Sequence, residues 1–173
     1  MSSLSRRDLF GVAAIAAAVP AVYALDDALG GGFGSARAAT TEKFAVNFTP
    51  AQWHQRLSPA AFAVLREEGT ERPFTSPLND EHRPGVFACA GCALPAYKSQ
   101  TKFDSGTGWP SFYAPIANAV SQRNDGSLGM SRTEVHCARC GGHLGHVFDD
   151  GPKPTGLRYC MNGVALSFTP SRA

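Results

Sequence analysis

Two C-x-x-C pairs constrain the fold of this chain more than any other feature. Cys89 and Cys92 form the first pair, and Cys137 and Cys140 form the second pair further along the chain. Each pair can present two thiolates to one ion, and two pairs complete the tetrahedral shell that zinc prefers. The two stretches are therefore expected to meet in the folded chain as a four-cysteine zinc site.

Other ligand sets and other uses of these cysteines are open from the residues alone. Iron would also fit four thiolates, and two disulfides are an option in an oxidising compartment. A C-x-x-C redox centre would leave the second pair unexplained. His143 and His146 follow Cys140 too closely for the Cys and His pairs of a zinc finger. We expect one structural zinc per chain, which stabilises the fold and has no open position for chemistry.

The N-terminal residues have the pattern of a targeting segment. Arg6 and Arg7 precede an uncharged, Ala-rich stretch at 11–25, and an A-x-A pattern follows at 36–38. This pattern resembles a twin-arginine export signal. It predicts a signal peptide at 1–38, a linker at 39–47, a folded domain at 48–170 and an exported, periplasmic protein. A membrane anchor is the alternative, but the stretch is short and mostly Ala, so we expect no stable membrane insertion after cleavage.

The remaining residues predict a mainly β fold with short helices before it. Thr49-Pro50 and Ser58-Pro59 are helix starts, and Gly69 is a helix end. Short apolar segments between turns then predict strands at 85–88, 116–120, 129–136, 144–148 and 157–168. Because no alternation of strands and helices appears, the sheet is expected to be antiparallel.

The charge of the chain gives no indication of nucleic-acid binding. Its formal net charge is +2, without a run of like charges. Four thiolates with one zinc ion would bring that charge close to zero. Charged residues make up 17 % and hydrophobic residues 43 %, which is apolar enough for a packed core.

Cys160 is left over once four of the five cysteines are assigned to the metal. A buried structural thiol is the default for a single cysteine. In a strand over 158–162, however, Arg158, Cys160 and Asn162 would share one face, with Tyr159 on the other. Because an arginine and an amide pack poorly in a core, that face predicts an electropositive pocket that favours the nucleophilic thiolate.

Two further clusters carry side chains suited to chemistry. One contains His143 and His146 together with Asp149 and Asp150, and an imidazole can donate a proton near neutral pH. The other places Trp109 on a glycine-rich turn. Trp109 could be a core aromatic residue, or its indole face could form a pocket for a small apolar group such as a methyl.

Together these stretches resemble the methionine-R-sulfoxide reductase family over roughly residues 48–170. The similarity lies in the two C-x-x-C pairs and in the segments 108–112, 143–152 and 156–162. It implies two antiparallel sheets, with zinc on the side away from the active site. It also implies a catalytic or substrate-binding role for eight residues. Cys160 would be the nucleophile, Trp109 would hold the substrate methyl, and Phe148 would lie beside the substrate. His143, His146 and Asn162 would line the pocket, and Asp150 and Arg158 would support the sulfoxide oxygen or the thiolate.

The implied reaction leaves Cys160 as a sulfenic acid, and the chain departs from the usual family pattern at the step that follows. Many members carry a resolving cysteine where this chain has Thr107. The resemblance therefore predicts a one-cysteine enzyme that repairs oxidised methionine residues in exported proteins. Its sulfenic acid would be reduced by a thioredoxin-like or glutaredoxin-like protein or by a small thiol. The alternatives are a metal-pair cysteine acting as the resolver, a non-catalytic binding module, and a zinc hydrolase.

Overall fold

The computed structural model describes residues 43–172, apart from the side chain of Leu128. The predicted signal peptide at 1–38 and the first residues of the predicted linker lie outside this range. None of the helices in the described part of the chain is long and apolar enough to cross a membrane. The last linker residues contact the domain, because Val46 N–H donates to Arg139 O at 3.0 Å.

Two short helices open the domain, as the sequence predicts. They are α1 (Pro50–Arg56) and α2 (Pro59–Glu67). The Thr49 side chain caps α1 by accepting a hydrogen bond from Gln52 N–H, and the Gln52 side chain accepts one in return from Thr49 N–H. Ser58 caps α2 in the same way through Ala61 N–H. A side-chain cap of this kind satisfies a backbone donor that has no partner within the helix.

The described residues contain nine strands in two antiparallel sheets, which confirms the predicted fold class. The first sheet has the order β2-β1-β9, and the second has the order β3-β4-β8-β7-β6-β5. The bounds are β1 (Gly85–Cys89), β2 (Pro95–Lys98), β3 (Lys102–Phe103), β4 (Ser111–Phe112), β5 (Val120–Asp125), β6 (Arg132–Cys137), β7 (His143–Phe148), β8 (Arg158–Met161) and β9 (Leu166–Pro170).

Aromatic rings join the two sheets in the core. Phe87 and Tyr97 from the three-stranded sheet pack against Phe112 from the six-stranded sheet, with centroid distances of 5.0 and 4.4 Å. All three residues are fully buried. The Tyr97 hydroxyl donates to the Met161 sulfur at 3.0 Å, which ties β8 to the same core. The residue before Met161 is Cys160, so this packing holds the backbone that carries the candidate nucleophile.

The structure corrects the predicted strand boundaries at three places. The segment 116–120 precedes β5, which begins only at Val120, and a 3-10 turn at Ser127–Gly129 delays the start of β6 to Arg132. The predicted strand at 157–168 is two strands, β8 and β9, which belong to different sheets. A 3-10 helix at Gly163–Ala165 separates them. The cause is distant in sequence, because the Glu71 carboxylate accepts hydrogen bonds from the N–H groups of Gly163 and Val164.

Candidate functional site

The four paired cysteines come together as a candidate metal centre. Their Sγ atoms all lie within 4.8 Å of one another, with Cys89 to Cys140 at 3.7 Å and Cys92 to Cys137 at 3.4 Å. Four sulfurs at about 2.3 Å from a tetrahedral zinc would lie about 3.8 Å apart. The arrangement therefore fits one metal ion. All four are free thiols rather than disulfides, which argues against the disulfide alternative.

The backbone around these cysteines is held by turns and by two arginines. Gly141 has a φ of +66°, and its N–H donates to Cys137 O at 2.8 Å, which closes the turn between β6 and β7. Arg66 from α2 donates to Cys140 O at 3.0 Å, and Arg139 donates to Cys92 O at 3.2 Å. The helix and both sheets thus converge on the metal centre.

Cys160 occupies the middle of the six-stranded sheet. It lies in β8, opposite Ser111 of β4 on one side and His146 of β7 on the other. Its neighbours Tyr159 and Met161 face the core with 5 % and 0 % exposure, whereas Cys160 is half-buried. The strand alternation predicted for this segment is confirmed, and the register places a thiol next to an imidazole.

A chain of hydroxyl groups runs beside the Cys160 sulfur. Thr107 Oγ1 lies 3.8 Å from Cys160 Sγ and 2.8 Å from Ser105 Oγ. Ser105 Oγ lies 2.7 Å from Ser111 Oγ, and the Ser111 hydroxyl donates to Trp109 O at 3.1 Å. Thr107 thus lies within side-chain contact of the candidate nucleophile.

Burial raises the pKa of the Cys160 thiol above its ordinary value. Hydrogen bonding from Thr107 and the positive charge of Arg158 both lower it, but they do not outweigh burial. Arg158 therefore shifts the pKa of Cys160 in the direction that the sequence predicts, but the net effect of all the surroundings favours the thiol. A base is then needed to remove its proton.

A small cavity of about 120 Å³ opens over Cys160. Two aromatic side chains, Trp109 and Phe148, line it together with His146, Asn162 and Arg132. Trp109 Nε1 donates to Glu71 O at 3.2 Å, which fixes the plane of the indole. The cavity combines apolar walls with an imidazole and a thiol, as a site for a small, partly polar group requires.

His146 is oriented by Asp125, which the sequence analysis did not identify. His146 Nε2 lies 2.8 Å from Asp125 Oδ2, and Arg132 Nη2 donates to the same oxygen at 2.8 Å. Hydrogen bonds from Ser127, and after them the one from His146, hold the pKa of Asp125 well below its usual range. Burial lowers the pKa of His146, and Asp125 opposes that shift. His146 is therefore neutral near pH 7, with a carboxylate ready to stabilise its charged form.

His143 lies behind His146 rather than in the cavity over Cys160. Its Nδ1 is 2.7 Å from Glu134 Oε1, and its side chain is 3 % exposed. The two imidazole rings meet edge to face with centroids 5.3 Å apart. The role in the pocket that the resemblance implies for His143 stays a prediction; the structure pairs its buried ring with Glu134 and packs it against His146. Glu134 is a second carboxylate that the sequence analysis missed.

Asp150 and Asn162 hold neighbouring groups through hydrogen bonds, and Asn162 also lines the cavity. Asp150 accepts two hydrogen bonds from Arg158, at 2.8 and 2.9 Å, and the guanidinium of Arg158 lies 4.4 Å from the Phe148 ring centroid. Asn162 Oδ1 accepts from Glu71 N–H at 2.9 Å, and its Nδ2 donates to Leu144 O at 3.2 Å. Asn162 thus connects the backbone at Glu71, whose carbonyl holds the Trp109 indole, to Leu144 in β7.

The fold and the site combine a cavity that contains a thiol and an imidazole with a four-cysteine cluster that can hold a metal ion. A family model described as the SelR domain matches residues 57–170. This chain belongs to that family.

Curated relatives cover nearly the whole domain. A peptide methionine sulfoxide reductase MsrB of Thiobacillus denitrificans is 57 % identical over 123 residues, which are 70 % of this chain and 93 % of the relative. Another MsrB, of Agrobacterium fabrum, is 52 % identical over 126 residues, or 72 % of this chain and 93 % of the relative. The MsrB of Bradyrhizobium diazoefficiens is 56 % identical over 120 residues, or 69 % and 86 %.

Proposed function

We infer that the chain is a peptide-methionine (R)-S-oxide reductase that works with one cysteine. The observation that carries this is the position of Cys160 beside His146, in a cavity walled by Trp109 and Phe148. The cavity suits a methyl sulfoxide, whose methyl can lie on an indole face while its oxygen faces a proton donor. Membership of the SelR family and the names of the relatives support the same activity.

The reaction begins with the transfer of the Cys160 proton to His146. Because burial keeps Cys160 protonated and His146 neutral, the imidazole can accept this proton. The electron pair of the thiolate then attacks the sulfoxide sulfur. As the bond between sulfur and oxygen weakens, the imidazolium, stabilised by Asp125, returns the proton to the oxygen.

The products of this step are a thioether and a Cys160 sulfenic acid. The protonated oxygen leaves the substrate sulfur and, as hydroxide, bonds to Sγ, while the bond between Sγ and the substrate sulfur breaks and its electron pair stays on the thioether. The substrate sulfur thus gains two electrons, Cys160 loses two, and the step consumes no net proton. The other four cysteines lie in the metal centre. An external thiol therefore attacks Cys160 Sγ, releases water and forms a mixed disulfide, and a second thiol regenerates Cys160. We expect a thioredoxin-like or glutaredoxin-like protein or a small thiol in this role.

Zinc is the metal that we propose for the four-cysteine centre. A closed thiolate shell with these sulfur separations suits its tetrahedral preference, and zinc has no redox chemistry that would interfere with Cys160.

The paired arginines at 6–7 and the A-x-A pattern at 36–38 support export by a twin-arginine route to the periplasm. The enzyme would then repair oxidised methionine in exported proteins.

A single turnover of the domain on separate R and S epimers of methionine sulfoxide tests this function. Without reductant, we expect about one methionine per chain from the R epimer and a sulfenic-acid adduct on Cys160, with the metal retained. A new disulfide with loss of metal would instead assign the resolving step to a metal-centre cysteine. If neither epimer gave methionine, the enzyme assignment would be wrong. Cys160→Ser is the matched control, since it should give no methionine while keeping the fold.

A further inference from the structure

An exposed aromatic side chain lies close to the catalytic cavity. Phe74 is 73 % exposed, and it and Met130, at 50 %, are the exposed large hydrophobic side chains of the described residues. Its φ of 62° is in the left-handed region, which is unfavourable for a bulky side chain. Non-glycine residues held in this backbone region cluster at active and ligand-binding sites, because the surrounding structure must hold them there.

The conformation of Phe74 is fixed by the loop that carries Trp109. Phe74 N–H donates to Gly108 O at 2.7 Å, and the Asn79 side chain donates to the same oxygen at 3.0 Å. A Cβ at Gly108 would lie 2.8 Å from atoms of Phe74 and Pro73, so only glycine permits this approach. The Phe74 backbone is therefore held against Gly108, the residue that precedes Trp109.

A second cavity, of about 210 Å³, lies between Phe74 and Trp109. Trp109 lines both cavities, so the second one is a neighbour of the catalytic one at this residue. The other residues that line it include Phe103 and several polar side chains, among them Lys102, Asp80 and Asp104. Because these charges are of both signs, the cavity does not favour a strongly acidic or basic occupant. Its aromatic rings favour an apolar side chain, with polar groups nearby for a peptide backbone.

We propose that this second cavity binds a residue adjacent to the methionine sulfoxide in an oxidised polypeptide, and that apolar neighbours bind best. The proposal rests on the proposed function. The catalytic cavity has room for about one small side chain. A polypeptide whose sulfoxide is at Cys160 continues past Trp109 in this proposal. Its next residue would then cover the exposed Phe74 ring, which is favourable because it removes apolar surface from water. Free methionine sulfoxide has no adjacent residue and cannot use this contact.

The test compares three substrates with three variants of the full chain. The substrates are free methionine-R-sulfoxide and two pentapeptides, in which the sulfoxide is flanked by Leu or by Gly. Phe74→Asn removes the ring but tolerates the left-handed backbone, Phe74→Tyr retains the ring, and Met130→Ala removes the other exposed apolar side chain. The affinity of the Cys160→Ser protein for the same peptides, measured by fluorescence anisotropy, gives a readout that does not depend on turnover.

We expect Phe74→Asn to lower kcat/KM for the Leu-flanked peptide by about five- to tenfold, mainly through KM. For the Gly-flanked peptide, kcat/KM should fall less. For free methionine-R-sulfoxide, kcat/KM should not change. Phe74→Tyr and Met130→Ala should match the parent chain. Equal losses for the free and peptide substrates, or no loss of anisotropy-measured affinity in Phe74→Asn, would overturn the docking proposal while leaving the reductase function intact. Absence of turnover in the parent chain would instead overturn the proposed function.

Discussion

Thr107 Oγ1 lies 3.8 Å from Cys160 Sγ. The two residues are far apart in sequence and are brought together because β4, which follows the Thr107 loop, pairs with β8. The loop is also tied by hydroxyl contacts from Thr107 to Ser105 and on to Ser111. Position 107 is therefore close to the candidate nucleophile and held by side-chain hydrogen bonds, yet it carries a side chain that cannot form a disulfide.

A cysteine at this position should resolve the sulfenic acid within the chain. We expect Thr107→Cys to form a disulfide between residues 107 and 160 after one turnover, because a modest rotamer change would bring the two sulfurs to bonding distance. Intact mass and thiol titration after single turnover would detect it. Thr107→Ser, the matched control, should accumulate the sulfenic acid as the parent chain does. A Thr107→Cys protein that still accumulated sulfenic acid would contradict the geometry.

Removal of the Asp125 carboxylate should slow the reaction and shift its pH profile. Asp125 raises the pKa of His146 against the effect of burial, so Asp125→Asn lowers that pKa further. Because His146 must be neutral to accept the Cys160 proton, the acidic limb of kcat/KM should move to lower pH. Near neutral pH the rate should fall by about 10- to 100-fold, since the imidazolium loses its partner.

The profile is measured by steady-state kinetics on the R epimer. Asp149→Asn is the control, since Asp149 is an exposed aspartate directly after β7, the strand that carries His146. An acidic limb that stayed in place in Asp125→Asn would mean that Asp125 does not act through His146.

The site was predictable where its residues lie close together in sequence or belong to a distinctive pattern. The metal centre followed from two C-x-x-C pairs, and the helix starts followed from Thr49 and Ser58, because these features depend on local chemistry. Asp125 and Glu134 were missed because each reaches its histidine across strand pairs that no local pattern specifies. The division of 157–168 into two strands was missed for a similar reason. It depends on Glu71, whose carboxylate binds the intervening backbone.

Alkylation of Cys160 should report the raised pKa of its thiol. Because burial outweighs Thr107 and Arg158, the rate with iodoacetamide should still be rising at about pH 8.5, where an ordinary thiol is half ionised. Arg158→Gln removes a contribution that lowers this pKa, so alkylation at neutral pH should become slower still. Mass analysis of the modified Cys160 provides the measurement. Arg172→Gln, at an exposed site, is the control. A rate that levelled off well below the ordinary thiol range would contradict the effect of burial.

Removal of the metal should unfold the domain rather than only inactivate it. Cys89 ends β1 of one sheet and Cys137 ends β6 of the other, so an ion bound by these cysteines would join both sheets. A structural zinc contributes on the order of 10 kcal/mol in zinc-finger peptides, which is comparable to the whole stability of a small domain. We expect a strong chelator, or Cys92→Ser, to abolish the cooperative thermal transition seen by near-UV circular dichroism. Cys160→Ser should keep both the bound metal and the transition. If the metal-free chain melted cooperatively at the same temperature, the sheets would be held by the aromatic core around Phe112 without help from the ion.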